Sequence, residues 1–424
     1  MFSRSSLARP FVCARCLRHQ RVVARRTYAA IAALPHRKLL SLSGPDAPKF
    51  LQGLTTNNVP SAAQNPGAGG WYTAFLNAQG RVLYDAFVYP NAHLSGGDGN
   101  GWACFIEVDA SCLDGLRMLL KRHKLRSKVT IVPVEDWGVW SAWRDNGDTS
   151  IDVGAADNAK FIHLADERVP AFGHRLLLPL SAAYLSSSSS STSSSSITAA
   201  SPPPNLPPQF QDLPVAMPGA YAVRRYLNGL AEGPAEMRPG EALPLESNVD
   251  VMRGVDFRKG CYVGQELTIR TKHTGVVRKR ILPVRLYDLA GEEPQTLEFD
   301  GEEAKCVAGL VPPAADIMKV AGADGENTGG PKKGRSAGRW LDGVGNVGLA
   351  LCRLEMMTDV KVGPEPTAAG GYKPGMRFAM KWVPEGQEAE RSMGVKAFVP
   401  EWHQRRMDEE AELKGKRKNA VQNI

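Results

Sequence analysis

Hydrophobic residues in the first third of the chain recur with two different periods. A short apolar run over residues 37–42 predicts a β-strand, and apolar residues at helical spacing over residues 46–54 predict a short helix. Two β-type runs follow at residues 71–77 and 81–89. The link between them ends in Gly80, the residue type that a tight bend accepts, so these two runs predict a hairpin.

The same mixture of strand and helix continues to about residue 230. Residues 103–108 predict a strand, and residues 221–227 predict a short helix that ends at Gly229. Between them a helical stripe consists of Cys112, Leu113, Leu116, Leu119 and Leu120. Strands and helices alternate irregularly, which favours an α+β domain over a regular parallel sheet.

Beyond Pro283 the pattern becomes all-β. Strands are predicted at residues 284–287, 304–311, 347–353, 378–382 and 393–399. A small closed barrel is the natural arrangement, because closing the sheet leaves no unpaired edge. We therefore expect a second domain over residues 284–400 and a charged, frayed tail over residues 401–424.

Composition modifies this picture in the first domain, which we place at residues 36–283. Ten Ser and one Thr fill residues 186–196, and five Pro follow up to residue 208. Such a segment has no apolar surface to offset the entropy of ordering it. We expect a disordered insertion over residues 186–210.

The net charge of +8 is concentrated at the amino terminus. Residues 1–28 contain seven Arg, no Lys and no acidic residue, as mitochondrial transit peptides do. Cleavage after Tyr28 would leave 45 of the 52 Lys and Arg against 44 acidic residues, a net charge of +1. A disordered nucleic-acid arm is the alternative, but the near-neutral remainder argues against nucleic-acid binding.

Seven cysteines with irregular spacing do not resemble a disulfide framework, and Cys261 has the most unusual surroundings among them. It lies between Gly260 and Gly264, and two cations, Arg258 and Lys259, come directly before it. Neighbouring cations favour the thiolate, the form that attacks electrophiles or ligates iron. A buried small residue at a turn is the alternative interpretation.

One cysteine cannot hold a 4Fe-4S cluster, because such clusters take four protein ligands. A single reactive thiol therefore suits a transient ligand whose cluster is shared with a partner or a small thiol. The basic stretches at residues 270–273 and 278–280 could contact phosphate, a polyglutamate tail or an acidic partner, or could be the solvated face of a strand.

Asp85 is the second candidate residue. By period two it shares a strand face with Leu83, Phe87 and Tyr89, so its carboxylate needs a charged partner or a ligand. The sequence leaves both possibilities open. A Gly-x-Gly-x-x-Gly motif at residues 343–348 lacks the strand and helix that a dinucleotide site requires, and we reject it.

Four longer motifs carry a family resemblance. They are FLQGLTTN at residues 50–57, AFLNAQGR at 74–81, ALPLESN at 242–248, and KGCYVGQELTIRT at 259–271. Together they resemble the YgfZ-type branch of the aminomethyltransferase-like (GcvT, tetrahydrofolate-binding fold) family, over residues 37–290 and more weakly through the barrel. Mitochondrial members of that branch assist late iron-sulfur cluster assembly.

The resemblance implies a two-lobed folate-binding-type domain followed by a small C-terminal β-barrel. It implies a matrix protein, a monomer or part of a transient hetero-complex, that acts with A-type iron-sulfur carrier proteins. The cofactors implied are tetrahydrofolate and a transient cluster shared with a partner, with Cys261 as the catalytic residue and possible iron ligand. The predicted cofactor-binding residues are Arg81, Asp85, Lys259, Gly260, Tyr262, Gly264, Gln265, Glu266 and Arg270.

The alternative function is a tetrahydrofolate-dependent one-carbon transferase. Related aminomethyltransferases have an acidic pair where this chain has Tyr84 and Asp85. They also have the motif Arg-Leu-Glu-Ala-Gly where this chain has RYLNG at residues 225–229, so a second acidic residue is missing here. Because only Asp85 of these acids is kept, aminomethyl transfer is disfavoured relative to the assembly role. No run of about 18 apolar residues occurs, so we expect no membrane span.

Overall fold

The computed structural model describes eleven segments of the chain. They are residues 29–59, 70–90, 102–144, 161–180, 206–217, 219–274, 276–300, 308–320, 335–362, 371–384 and 388–422. The predicted transit peptide lies outside the described residues, as does the serine run at 186–196.

The described chain forms fifteen strands and six α-helices. The strands are β1 (Ala30–Ala33), β2 (Arg37–Gly44), β3 (Trp71–Leu76), β4 (Val82–Pro90), β5 (Trp102–Asp109), β6 (Thr130–Val134), β7 (Trp137–Trp143), β8 (Ile162–Ala165), β9 (His174–Pro179), β10 (Lys279–Tyr287), β11 (Asp316–Lys319), β12 (Gly338–Val344), β13 (Val347–Arg353), β14 (Phe378–Trp382) and β15 (Arg391–Ala397). The helices are α1 (Ala47–Gln52), α2 (Leu113–Lys124), α3 (Ala220–Leu227), α4 (Gln265–Thr274), α5 (Leu354–Met357) and α6 (Glu401–Gln422).

Two antiparallel sheets build the first domain. One has the strand order β3-β4-β5-β2-β6 and the other the order β1-β7-β9-β8. Helices α1 and α2 cover one face of the five-stranded sheet, where Phe50, Leu116 and Leu120 pack in a single apolar cluster. The opposite face packs against the second sheet, so β4 and β5 are buried on both sides. The α+β class predicted from the sequence is therefore confirmed.

The predicted hairpin between β3 and β4 is present, with Ala74 opposite Asp85 and Phe75 opposite Tyr84. Of the helical stripe, Cys112, Leu116 and Leu120 are buried, whereas Leu113 and Leu119 are half-buried because they sit at the edge of the covered face.

The second domain is a closed six-stranded barrel, in the order β10-β13-β12-β11-β14-β15. The rejected glycine motif lies in the hairpin between β12 and β13, where Gly343 and Gly348 leave room for the Trp340 ring. Strands β11 and β12 were not predicted. The strand predicted at 304–311 is wrong where the structure describes it, because residues 308–310 form a 3₁₀ turn.

The barrel packs tightly on the first domain. Ile281, Val347 and Leu349 belong to the same apolar cluster as Tyr226 of α3. Gly229 lies at the junction with φ of +69°, and a β-carbon there would lie 2.8 Å from the Cδ of Pro283. The two domains therefore share one continuous core.

Two segments expected to lack structure are ordered where they are described. Leu206 and Phe210, at the end of the predicted disordered insertion, are buried beside Trp140 of β7. Large apolar side chains at the end of a low-complexity run can find a hydrophobic groove even when the run itself cannot.

Residues 401–422 form helix α6 in place of the expected frayed tail. The Nε1 of Trp402 donates to the Asn228 carbonyl at 3.0 Å, and the Nη1 of Arg406 donates to the Arg168 carbonyl at 2.6 Å. The first two turns are therefore docked on the first domain. Among the described residues, no helix is both long and apolar enough to cross a membrane.

The docking of α6 is predicted to be acid-sensitive through His403. Burial, together with the charge of Arg280, lowers the pKa of this nearly inaccessible imidazole to about 3. In the unfolded chain His403 binds a proton below about pH 6.5, whereas in the folded chain it stays neutral, so stability is complete above that pH and is lost as the pH falls toward 3.

We expect the wild type to lose about 1–2 kcal/mol more than His403→Gln between pH 7 and pH 5. Urea unfolding of both proteins at the two pH values checks this. His163 and His174 are present in both proteins, so subtracting one loss of stability from the other cancels their contribution. Equal losses in both proteins would show that His403 is not buried in its neutral form.

Candidate functional site

Cys261 lies on an exposed loop that ends at the first residue of α4. The loop is held from below by the turn after α1. Thr56 donates through Oγ1 to the Gly254 carbonyl at 2.6 Å, and its own carbonyl accepts the Asp256 N–H at 3.1 Å. Asn57 donates through Nδ2 to the Arg253 carbonyl at 2.8 Å. Hydrogen bonds from a neighbouring turn thus fix the backbone that leads to the thiol.

On its other side the loop touches the hairpin between β3 and β4. The N–H of Val263 donates to the carbonyl of Gly53, which follows α1, at 3.0 Å. Gly264 has φ of +79°, and a β-carbon on it would lie 2.2 Å from the Asn77 carbonyl oxygen. Gly80 faces it, and a β-carbon there would lie 2.8 Å from the Gly264 carbonyl oxygen. Both positions must be glycine for the two backbones to approach so closely, because a side chain at either one would clash.

The second glycine beside the thiol has a different environment. Gly260 is exposed, its φ is not positive, and a β-carbon on it would meet nothing within 4 Å. Of the two glycines that flank Cys261, Gly264 is therefore required by a close approach within the domain, and Gly260 is not.

Lys259 is turned into the loop. Its Nζ donates to the carbonyls of Thr55 and Asn57 at 2.5 and 2.9 Å, and it lies 4.9 Å from the centre of the Tyr262 ring. Burial lowers the pKa of Lys259 to about 8. This lysine therefore stabilises the loop through its contacts with the turn after α1.

The remaining predicted residues of this segment lie around the start of α4. Tyr262 is buried, and burial raises its pKa to about 12. Its N–H donates to the Oε1 of Gln265 at 3.3 Å, while Glu266 and Arg270 are exposed on the helix. The stretch 270–273 is therefore helical, and the strand interpretation was wrong there. The positive end of the α4 dipole faces the Cys261 side.

Cys261 is the exposed thiol among the four cysteines that the structure describes. Burial raises the pKa of Cys112 to about 11, and it raises the pKa of Cys104 and Cys352 even further. Within the described segments no three His, Cys, Asp or Glu side chains are grouped to hold a metal ion.

Asp85, the second candidate, belongs to a buried ion network instead of the Cys261 loop. It is 4% exposed, its Oδ1 accepts the Gly233 N–H at 3.0 Å, and its Oδ2 lies 3.4 Å from the Nη1 of Arg37. Burial raises the pKa of Asp85, and these two partners oppose the shift. The charged partner that the strand pattern required is thus an arginine of the protein itself.

The network extends across the interface between the two sheets. Glu107 accepts from Arg37 at 2.7 Å and from Arg175 at 2.9 Å. Glu232 accepts from Arg175 and, at 2.8 Å, from Arg168. Burial by itself would raise the pKa of Glu232, but the two arginines hold it well below its usual range. None of these side chains was predicted as a member of the network. A contact between residues on separate strands and loops leaves no local pattern in the sequence.

Tetrahydrofolate, which the family resemblance implies, would need an accessible carboxylate on β4. Both oxygens of Asp85 are engaged by the protein, so this residue does not fit the role of a folate ligand in the observed arrangement. Arg81 is also engaged, since its Nη1 donates to the Glu241 carbonyl at 2.6 Å. Folate binding stays a prediction from the resemblance.

Residues that hold the loop were quoted in the family motifs but not recognised as site residues. They are Gly53, Thr55, Thr56, Asn57, Asn77 and Gly80, and every one of them contacts the segment 253–264. The available signal was the clustering of Gly, Thr and Asn in two motifs far apart in the sequence.

Comparisons with known proteins agree with this architecture. The family model described as the CAF17 C-terminal beta-barrel domain matches residues 278–404. A solved structure, the glycine cleavage system aminomethyltransferase T from Bartonella henselae, superposes with a TM-score of 0.54 at 12% identity and covers 89% of this chain and 87% of that chain. This likeness shows the fold and confirms the predicted aminomethyltransferase-like architecture.

Three curated relatives are similar over most of their length. The iron-sulfur cluster assembly factor IBA57 homolog, mitochondrial, of Pyricularia oryzae is 43% identical and covers 88% of this chain and 85% of the relative. Proteins of the same name from Aspergillus clavatus and Neurospora crassa are 38% and 41% identical, covering 92% and 93% of this chain and 89% and 88% of the relatives.

A matched pair of glycine variants tests the geometry of the loop. Gly264→Ala should cost at least about 2 kcal/mol of unfolding free energy, because it combines a left-handed φ with a clash against the Asn77 carbonyl. Gly260→Ala should change stability by less than about 0.5 kcal/mol. Urea unfolding measures both, and similar losses in the two variants would contradict the proposed contact.

The role of Asp85 is tested by two substitutions. Asp85→Ala should lower the unfolding free energy by about 2–4 kcal/mol, because Arg37 loses a partner and the Gly233 N–H loses its acceptor. Asp85→Asn keeps an acceptor for Gly233 and should cost less than half as much. Wild-type stability in Asp85→Ala would mean that the carboxylate is free for a ligand.

Proposed function

Because the chain belongs to the IBA57 family of mitochondrial iron-sulfur cluster assembly factors, we propose that it assists the maturation of 4Fe-4S proteins through Cys261. The family resemblance predicted from the sequence motifs is confirmed by these relatives, and so is the mitochondrial location. The matrix as the compartment, and A-type carrier proteins as the partners, are parts of the proposal.

The observation that carries the proposal is one exposed thiol on a loop held by backbone contacts. Within the described residues this thiol belongs to no group of three side chains that could hold a metal ion. A resident cluster would need four ligands supplied together by the chain. An isolated cysteine can supply one ligand only while another protein, or a small thiol, supplies the rest. The arrangement therefore suits transfer or transient stabilisation of a cluster that is cargo for this protein.

The proposed step is a ligand exchange at iron. The Cys261 thiol loses its proton to solvent, and its sulfur forms a bond to iron of a cluster held by the carrier. The ligand that leaves the iron, a thiolate of the carrier or of a small thiol, takes up a proton from solvent. No electron is transferred, so the step needs neither an oxidant nor a reductant.

The fixed backbone contributes the geometry of this step. Contacts to Gly53, Thr56 and Asn77 hold the thiol outside the domain without closing a cavity around it. A ligand held by a preorganised loop loses little conformational entropy when it binds iron. The partner can thus approach a sulfur carried by a backbone that is held on both sides.

The one-carbon transferase alternative gains no support from the site. The carboxylate that it requires, Asp85, is buried and bound to Arg37 and Gly233. The assembly role uses no folate and is consistent with Asp85 as a structural residue.

Replacement of the thiol tests the proposal. Cys261→Ser should keep the wild-type unfolding midpoint, because the side chain is exposed, yet lower the activity of mitochondrial 4Fe-4S enzymes on the order of tenfold in cells that depend on this protein. The purified variant should also lose the visible absorption of a cluster shared with an A-type carrier.

Cys112→Ala is the matched control, because it removes a buried thiol that takes no part in the proposed ligand exchange. The substitution should cost some stability. It should retain both the enzyme activities and the shared absorption. Normal 4Fe-4S enzyme activity in Cys261→Ser would falsify the thiol role while leaving the family membership intact.

A further inference from the structure

A strongly basic surface lies at the carboxyl end of α2. From Lys121 to Lys128 the chain carries Lys121, Arg122, Lys124, Arg126 and Lys128 with no acidic residue. Within the described segments these five cations form no ion pair. The concentration of charge is local, since the chain without its amino-terminal arginines is nearly neutral.

An exposed apolar side chain lies in the middle of this surface. Leu125 is 87% exposed at the end of α2 and has φ of +44°. A large residue in a left-handed conformation is strained, and glycine is the residue that helix ends normally use there. Neither burial nor backbone geometry explains a leucine at this position. Contact with another molecule would remove this apolar side chain from water.

Leu125 borders a groove that is open to solvent. The groove has a volume of about 730 Å³ and is lined by Asp46, Lys49, Phe50, Leu125, Arg126 and Ser127. Its position is fixed, because the backbone N–H of Lys128 donates to the Oδ2 of Asp46 at 2.7 Å and thereby ties the loop to the start of α1. The groove thus combines an apolar centre with a basic rim on both sides.

Helix α1 connects the groove directly to the thiol loop. Lys49 and Phe50 line the groove from α1, and the carbonyl of Gly53, at the end of the same helix, accepts the Val263 N–H. Six helical residues span about 9 Å, and the two residues from Val263 to Cys261 add about 7 Å at most. A standard interface of about 800 Å² per partner is about 30 Å across, so one partner is large enough to reach both Cys261 and this groove.

We propose that this groove, with Leu125 as its apolar anchor and Lys49 and Arg126 on its rim, is the docking surface for an acidic face of the protein partner that holds the iron. The inference rests on the proposed function of Cys261. Charge complementarity steers the partner and sets its orientation, and Leu125 fills an apolar depression on it. The thiol then meets a cluster already positioned by contacts that do not involve iron.

A protein fits better than a nucleic acid or a lipid surface. Within the described residues the groove presents no aromatic ring for base stacking, because Phe50 is only 8% exposed. A concave site suits a protruding acidic element of a protein more than a flat bilayer. Since Cys261 requires a second protein within bonding distance, the adjacent surface is occupied by that protein whenever iron is shared.

The test measures affinity of the full chain for a purified A-type carrier that holds a cluster, by calorimetry at two salt concentrations. Leu125→Gly, Lys49→Glu and Arg126→Glu should each weaken binding on the order of tenfold. The two charge reversals should also reduce the dependence of affinity on salt. Leu125→Gly should keep or raise the unfolding midpoint, because glycine accepts the left-handed φ, so its binding loss cannot come from misfolding.

Lys319→Glu is the matched control, a charge reversal at an exposed lysine of β11 in the barrel, and it should bind as the wild type does. Cys261→Ser separates this proposal from the proposed function. Wild-type affinity in all three groove variants, together with a loss of shared cluster absorption in Cys261→Ser, would overturn the docking surface and leave the function standing.

Other outcomes are equally decisive. If the wild type does not bind the carrier, the proposed function fails and the docking surface fails with it. If the groove variants lose affinity for phosphatidylglycerol vesicles or for an oligonucleotide while carrier binding is unchanged, the surface serves a lipid or a nucleic acid, and the acidic-protein proposal is wrong.

Discussion

The close approach of Gly264 to the hairpin turn at Asn77 and Gly80 is the contact on which the exposed thiol depends. Two backbones meet there without side chains between them, and the loop that precedes α4 is consequently pinned at its carboxyl end. The turn after α1 pins its amino end through Thr56 and Asn57. Between these two attachments Cys261 is held outside the domain by structure that is itself rigid.

The hairpin can serve as an anchor because most residues of its two strands are buried. Strand β4 is covered on one face by α1 and α2 and on the other by the second sheet. Charged side chains at that second interface are neutralised by one another, with Arg37 and Arg175 sharing Glu107. A network of this kind loses much stability if one member is removed, and it tolerates little displacement of the strands. Rigidity at the surface loop thus originates in the buried core.

Stability and chemistry thus depend on different residues within one domain. Asp85 lies on the strand that the family resemblance connects with folate, yet it takes part in the buried network. Cys261 lies on the surface, and α1 connects its loop to a groove with a basic rim. A protein whose chemistry is performed together with a partner needs an accessible ligand and a recognition surface beside it. It does not need an enclosed pocket of its own.

The sequence by itself determined part of the local elements, the α+β class, the barrel and the family. Period-two and helical patterns for β2, β4 and α2 depend on burial of neighbouring residues, which is a local property of the chain. Motifs around Cys261 identified the functional segment because short runs of unusual residues are readable without coordinates. The sequence also required a partner for Asp85, although it could not say which residue or ligand that partner was.

Only the tertiary structure decided which distant residues meet. It showed that Gly264 but not Gly260 is required by packing, and that Lys259 points into the loop. It also showed that residues 401–422 form a helix docked through Trp402. In each case the deciding contact joins residues far apart in sequence, and its energy depends on distances and directions that residue order does not encode. A charged segment or a glycine has the same local pattern whether or not a distant part of the chain packs against it.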